Sequence, residues 1–180
     1  MIKNINKISI IGGPGTGKST LSNNLGKVLN LPVYHIDGLH YLENWQIRDK
    51  NERDQIILDT IKNSKWIMDG TYHSTLEMRV KNSDIIIFLN YSTFSRIKGI
   101  LTRYFKNGNK EKPEIPGCKE RMTLEFFKFT INWNKTKGKT INNVLEKYKD
   151  KNILIFKNRK SLNKWYIKKF GKKIETKINN

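Results

Sequence analysis

Five short apolar runs punctuate an otherwise polar chain: Lys7 to Ile11, Val33 to His35, Trp66 to Met68, Ile85 to Leu89 and Ile153 to Phe156. Each is short and rich in Ile or Val, as strands buried on both faces of a parallel sheet are. Helical patterns fall between them, and the resulting β-α-β-α order predicts a parallel sheet covered on both sides. A first helix is expected over Leu21 to Leu29. Another follows Asp49, which with Glu52 forms a capping box. It carries Ile56, Ile57, Leu58 and Ile61 largely on one face and ends near Asn63. After the fourth run, a basic helix from Thr93 to Phe105 leads into Asn107 to Gly117. That stretch is rich in Gly, Pro and charge and reads as a loop, of the kind that serves as a mobile lid or binding element. Helices near Arg121 to Trp133 and Lys139 to Lys149 precede the fifth strand. A terminal helix around Ser161 to Phe170 closes the domain, and the tail from Gly171 is expected to fray.

The segment between the first strand and the first helix carries the clearest chemistry. Residues Gly12, Gly13, Pro14, Gly15, Thr16, Gly17, Lys18, Ser19 and Thr20 match the G-x-x-x-x-G-K-[ST] phosphate loop in the strand-loop-helix setting it requires. Glycines let successive N–H groups turn inward around a polyphosphate. Lys18 would reach the β- and γ-phosphates and Ser19 would give its hydroxyl to Mg²⁺. The positive end of the following helix points at the same anion. The expected cofactors are ATP and Mg²⁺.

Size and composition narrow the setting. At 180 residues the chain fits one domain, with a lid over about residues 104–137. The longest apolar runs are far too short to span a bilayer. Lys3 and Lys7 precede too short an apolar run for a secretory signal, so a cytoplasmic protein is expected. Cys118 is the one cysteine, which excludes an internal disulfide. The net charge of +19 is uneven: residues 1–90 carry +2 and residues 91–180 carry +17. A nucleic-acid partner would account for that asymmetry. The abundance of Lys, Asn and Ile and the lack of alanine, as in an AT-rich genome, account for most of it. Trp133, Tyr148 and Trp165 would offer stacking surfaces under the first reading, or core packing under the second.

Phosphoryl transfer also needs a metal-orienting carboxylate, cations on the migrating group and a held acceptor. Asp69, ending the third strand, would hold a water of the Mg²⁺ shell or simply form an Asp-Gly turn. Asp37, ending the second, would accept the acceptor's hydroxyl proton or cap the next turn. His35 and His40 beside it would serve structure or substrate contact rather than a metal. Arg96 and Arg103 lie seven residues apart, on one helical face, where guanidinium groups would pair with phosphate oxygens. Lys106, Lys110, Lys112, Lys119 and Arg121 extend that cationic arm. The catalytic set is thus Lys18, Asp37, Arg96 and Arg103.

These features together resemble the adenylate-kinase-like P-loop kinases, and more narrowly the bacterial topology modulation, FlaR-like, family. The resemblance runs from Ile8 to about Phe156. It rests on the phosphate loop, on His35-Ile36-Asp37 with Trp45, on Trp66-Ile67-Met68-Asp69-Gly70-Thr71-Tyr72 and on Ser83 to Leu89. Gly117-Cys118 and Leu124-Glu125-Phe126-Phe127 with Trp133 complete it. It implies a three-layer α/β/α fold with a five-stranded parallel sheet in the order 2-3-1-4-5. It also implies kinase-type transfer from Mg·ATP to a small acceptor, a link to DNA topology, and base contact by Arg159 in the loop after the last strand. Thr71-Tyr72-His73 stands where adenylate kinases have Phe-Pro-Arg, which weakens the case for a nucleoside monophosphate acceptor. A monomer or homodimer fits.

Overall fold

The computed structural model describes residues 5–108, 110–120 and 122–176; Arg121 of the expected cationic arm lies outside them. The chain runs β1 (Lys7–Gly12), α1 (Lys18–Leu29), β2 (Val33–His35), α2 (Ile36–His40), a 3₁₀ turn (Glu43–Trp45), α3 (Lys50–Lys62) and β3 (Trp66–Asp69). It continues through α4 (His73–Asn82), β4 (Ile85–Leu89), α5 (Thr93–Asn107), a hairpin of β5 (Glu111–Lys112) and β6 (Ile115–Lys119), and α6 (Leu124–Trp133). A π-helical turn (Asn134–Gly138) joins α6 to α7 (Lys139–Lys147), and β7 (Asn152–Phe156) and α8 (Arg159–Phe170) complete it.

The five long-range strands are parallel and lie in the order β2-β3-β1-β4-β7, the expected 2-3-1-4-5 with the hairpin inserted before the last. Strand β4 shows why every one of its residues is apolar. Ile85, Ile87 and Leu89 face a core completed by Leu21 and Leu25 of α1 and Leu162 and Tyr166 of α8. Ile86 and Phe88 face the opposite core, built with Leu76 and Val80 of α4, Trp133 of α6 and Ile141 and Leu145 of α7. Both faces are therefore withdrawn from water, and alternation disappears from the sequence. A third cluster seats Ile57 and Ile61 of α3 and Ile36 on Trp66 and Met68. The buried Ser9 is tolerated because Ser83 donates a hydroxyl hydrogen bond to it at 2.8 Å.

Four readings need correction. The stretch Asn107 to Gly117 is no open loop: Ile115 and Cys118 are buried, and that burial folds part of it into the hairpin. Helix α4 gave no clear signal, since its inward positions include Thr75 and Arg79 beside Leu76 and Val80. The tail past Gly171 does not fray at once. Asn24 of α1 donates its amide to the Glu175 carbonyl and accepts the Glu175 N–H, both at 2.9 Å, and Ile174 packs on the α1–α8 core. At α3, Asp49 accepts from the N–H groups of Asn51 and Glu52, but Glu52 pairs with Arg48, so the capping box is only half formed.

Candidate active site

The phosphate loop is held from three sides before any ligand enters. Within it, Thr16 donates its hydroxyl to the Gly13 carbonyl at 2.9 Å, and the Lys18 ammonium reaches the same carbonyl at 3.2 Å. From the turn after β3, Thr71 accepts the Gly12 N–H at 3.1 Å and donates back to the Gly12 carbonyl at 2.9 Å. From α5 and the loop after β7, backbone contact and Arg159 close the outer side. A Cβ on Gly15, which sits at φ +74°, would fall 2.2 Å from the Arg96 carbonyl, and one on Gly99 would fall 2.1 Å from the Gly15 carbonyl. Only glycine at both positions allows helix and loop to approach this closely. Helix α1 starts at Lys18 with no side-chain cap on its first N–H groups, which leaves its positive end turned to the loop.

Asp69 is buried at the β3 terminus, and its two oxygens have different surroundings. Oδ2 accepts from His35 Nδ1 at 2.6 Å and from the Ser22 hydroxyl, whereas Oδ1 faces the Ser19 hydroxyl at 3.3 Å. Burial pushes this carboxyl's pKa upward, but the His35 and Ser22 hydrogen bonds and the charges of His35 and Lys18 outweigh it and hold the group below its ordinary value. Ser19 and Asp69 thus present an oxygen pair fitted to a hard cation. Lys18 is pulled below the usual lysine value by burial, against the carboxylates of Asp37 and Asp69, which act to raise it. The half-buried ammonium lies within the field of both.

Asp37 projects from the first turn of α2 and accepts the Tyr72 hydroxyl at 3.1 Å. Burial and the Asp37 charge push the Tyr72 phenol well above its ordinary value, so Tyr72 stays a donor. His40 packs edge-on to Tyr41 and tilted on Tyr72, with centroids 4.5 and 4.9 Å apart. Behind them the Arg53 guanidinium lies 4.8 Å from the Tyr72 ring centre. Each of its nitrogens is engaged, by Asp54, His40 or Ser74. Among the described residues no three His, Cys, Asp or Glu side chains converge as a metal cluster, so His35, His40 and Asp37 do not form one.

The two arginines expected to converge on phosphate are placed apart. Arg96 is fully buried, 5.0 Å from the Trp133 ring centre, with its Nη1 and Cδ against Gly13, and it donates to Thr93 Oγ1 at 3.1 Å. Trp133 lies over the guanidinium, whose Nε and Nη1 are buried beside Gly13 without a hydrogen-bond partner among the described residues. Arg103, two turns on, escapes that cover and pairs with Glu120 at the end of the hairpin, 2.7 Å away. Arg159 donates to the Gly15 carbonyl at 2.6 Å.

The hairpin rests on the segment after β2. The Trp45 N–H donates to Cys118 Sγ and the Cys118 thiol to the Leu42 carbonyl, each at 3.2 Å. The Trp45 indole donates to the Lys119 carbonyl at 3.1 Å, and the Lys112 ammonium lies 5.2 Å from the Trp45 ring centre. Burial, then Arg103, lowers the Lys112 pKa. Lys106, Lys110 and Lys119 are exposed. Sequence reasoning missed Thr71, Ser22, Glu120 and Arg79. Arg79 is buried and clamps the Gly70 and Tyr72 carbonyls at 3.1 Å each, with burial drawing its pKa down to about 10. An arginine on the inner face of a predicted helix was the one available signal.

No protein-family model matches the chain, and no curated protein does. Solved structures do. A shikimate kinase from Acinetobacter baumannii in complex with shikimate superposes with a TM-score of 0.59 at 15% identity, covering 96% of this chain and 97% of its own. A deoxyadenosine kinase from M. mycoides with bound dATP gives 0.52 at 16% identity, covering 93% and 100%. The chain has the three-layer α/β/α fold that these P-loop kinases share.

Proposed function

We propose that this protein is an ATP-dependent phosphotransferase acting on the hydroxyl of a small acceptor. The observation that carries this reading is the meeting, beside the glycine loop that bears Lys18, of Asp69 at the end of β3, hydrogen-bonded to Ser19, and Asp37 in the first turn of α2, held by Tyr72. Residues 12–20 would wrap the triphosphate, with Arg103 on its oxygens once released from Glu120, and Arg159 bracing the loop near the base. Arg96 supports the loop through Gly13 rather than touching phosphate. Ser19 and Asp69 would hold Mg²⁺, which when bound neutralises charge on the phosphates. Asp37, oriented by Tyr72, would take the proton of the acceptor hydroxyl as its oxygen attacks the γ-phosphorus and the bond to the β-phosphate oxygen breaks, releasing ADP. The hairpin would exclude water during that step.

The likeness to the topology modulation family is part of this reading. A nucleic-acid role draws no support from the aromatic residues, because Trp133 is buried and Tyr148 and Trp165 pack on the two cores. Among the described residues no helix is long and apolar enough to cross a membrane. Purified protein incubated with Mg·ATP and a panel of nucleosides, nucleotides, sugars and shikimate tests the proposal. Phosphorylation of one class supports it, and absence of ATP binding at millimolar concentration overturns it.

A further inference from the structure

The His35 side chain occupies a place in this site that the transfer chemistry leaves unused. It ends β2 directly opposite Asp69 in the parallel register. Both ring nitrogens are engaged: Nδ1 with Asp69 Oδ2 at 2.6 Å and Nε2 with Asn23 Oδ1 at 3.0 Å. A carboxylate only accepts, so Nδ1 carries a proton. Asn23 stands one helical turn beyond Ser19 on α1, and Ser22 donates to the same oxygen that His35 does. Oδ2 is thereby saturated by two donors, and Oδ1 is the oxygen left toward Ser19.

We infer that His35 is a positioning residue that fixes the rotamer of Asp69, so that one chosen carboxylate oxygen faces the cation site formed with Ser19, and that Asn23 in turn fixes the imidazole. The inference rests on the phosphotransferase reading for its consequence but on the apo geometry for its existence. A carboxylate with two free oxygens and a free χ2 rotation would meet a cation in several arrangements. Tying one oxygen to two donors on different elements, α1 and β2, removes that freedom. The clamp is also reachable from outside. His35 and Asn23 form one wall of a cleft of about 440 Å³ whose other walls include Lys27, Val33 and the hairpin turn at Pro113 and Glu114. The His35 side chain is 18% exposed there while Asp69 is 3% exposed. The imidazole therefore separates the carboxylate from solvent.

The test compares wild-type protein with His35→Leu, which removes the donor, and His35→Gln, which restores an N–H. ATP binding is measured by calorimetry with and without Mg²⁺. Outer partners of metal ligands typically carry about 10- to 100-fold in metal affinity. We expect His35→Leu to bind metal-free ATP within about twofold of wild type, to need at least about tenfold more Mg²⁺ for half-maximal enhancement, and to be partly rescued in His35→Gln. Equal Mg²⁺ requirements in wild type and His35→Leu overturn the inference. Should wild type bind no ATP, the phosphotransferase reading fails separately. In that event ¹⁵N NMR of the ligand-free protein decides the clamp: a protonated Nδ1 whose signal shifts in Asn23→Leu supports it, and an imidazole signal insensitive to Asn23 and Asp69 substitution overturns it. Should His35→Leu fail to fold, Asn23→Leu carries the calorimetric comparison, with a smaller Mg²⁺ effect expected and none overturning the inference.

Discussion

The phosphate loop and the hairpin are held by different parts of the chain. The loop is tied to the turn after β3, to α5 and to the segment after β7: Thr71 to Gly12, Arg159 to Gly15, and the Gly15–Gly99 approach. The hairpin has a two-residue strand, one ion pair to α5 and a few hydrogen bonds to residues 42–45. If the proposed transfer is right, the first arrangement would be ready before binding and the second would be the part exchanged during it. A site of this kind spends its rigidity on the charged donor and its mobility on closure.

Substitutions on either side should therefore fail differently. Lys18→Ala should show the largest effect: transfer falls by about 10³-fold or more, because the cation on the migrating group is gone, while the melting temperature stays near wild type. Steady-state kinetics and a thermal melt check both halves. Asp37→Asn should come next, with kcat reduced by about 10²-fold or more and the affinity for ATP largely intact. Unchanged kcat would make Asp37 a turn residue only. On the hairpin side, Glu120→Gln should weaken the hold on Arg103 and change the KM for ATP by about tenfold at most, given the worth of a partly exposed ion pair. A change in kcat as large as that of Lys18→Ala would erase the distinction between the two regions.

The smallest expected effect is on the pH dependence of stability in the metal-free protein. His35 is desolvated, which lowers its pKa, but the Asp69 hydrogen bond and the charges of Asp69, Glu114 and Asp37 leave it raised above 6.5. Its contribution is present in full below about pH 6.5 and is lost as pH rises through the folded value. Asp69 is depressed below 3.8, so its contribution is present above that pH and fades as pH falls through its folded value. His40 and His73 are lowered by burial and act with the opposite sign to His35. The difference in melting temperature between wild type and His35→Leu should accordingly be greatest between about pH 4 and 6.5 and shrink toward pH 8. A difference independent of pH would mean that only packing was lost.

The sheet was legible because β1, β3 and β4 are buried on both faces, which leaves apolar runs broken only by Ser9 in β1, and because glycines mark the loop after β1. Strand β7 was found one residue late, since it begins with Asn152. The partners within the site were less legible. Arg96 and Arg103 share a helical face, and nothing in their spacing tells that Trp133 covers the first and not the second. Thr71 and Ser22 act through single hydroxyls, which carry no pattern, and Arg79 interrupts the apolar face that would have revealed α4. The hairpin escaped because two buried side chains, Ile115 and Cys118, are too few to make a periodic signal.

The one sulfhydryl of this chain lies sealed between the Leu42 carbonyl and the Trp45 amide, beneath the hairpin that carries it. A soluble alkylating reagent can reach it only while that cover is lifted. If the hairpin opens as the proposed lid, the rate of its labelling would be a built-in clock for that opening, and slowing of that rate by nucleotide would time the closure without any added reporter.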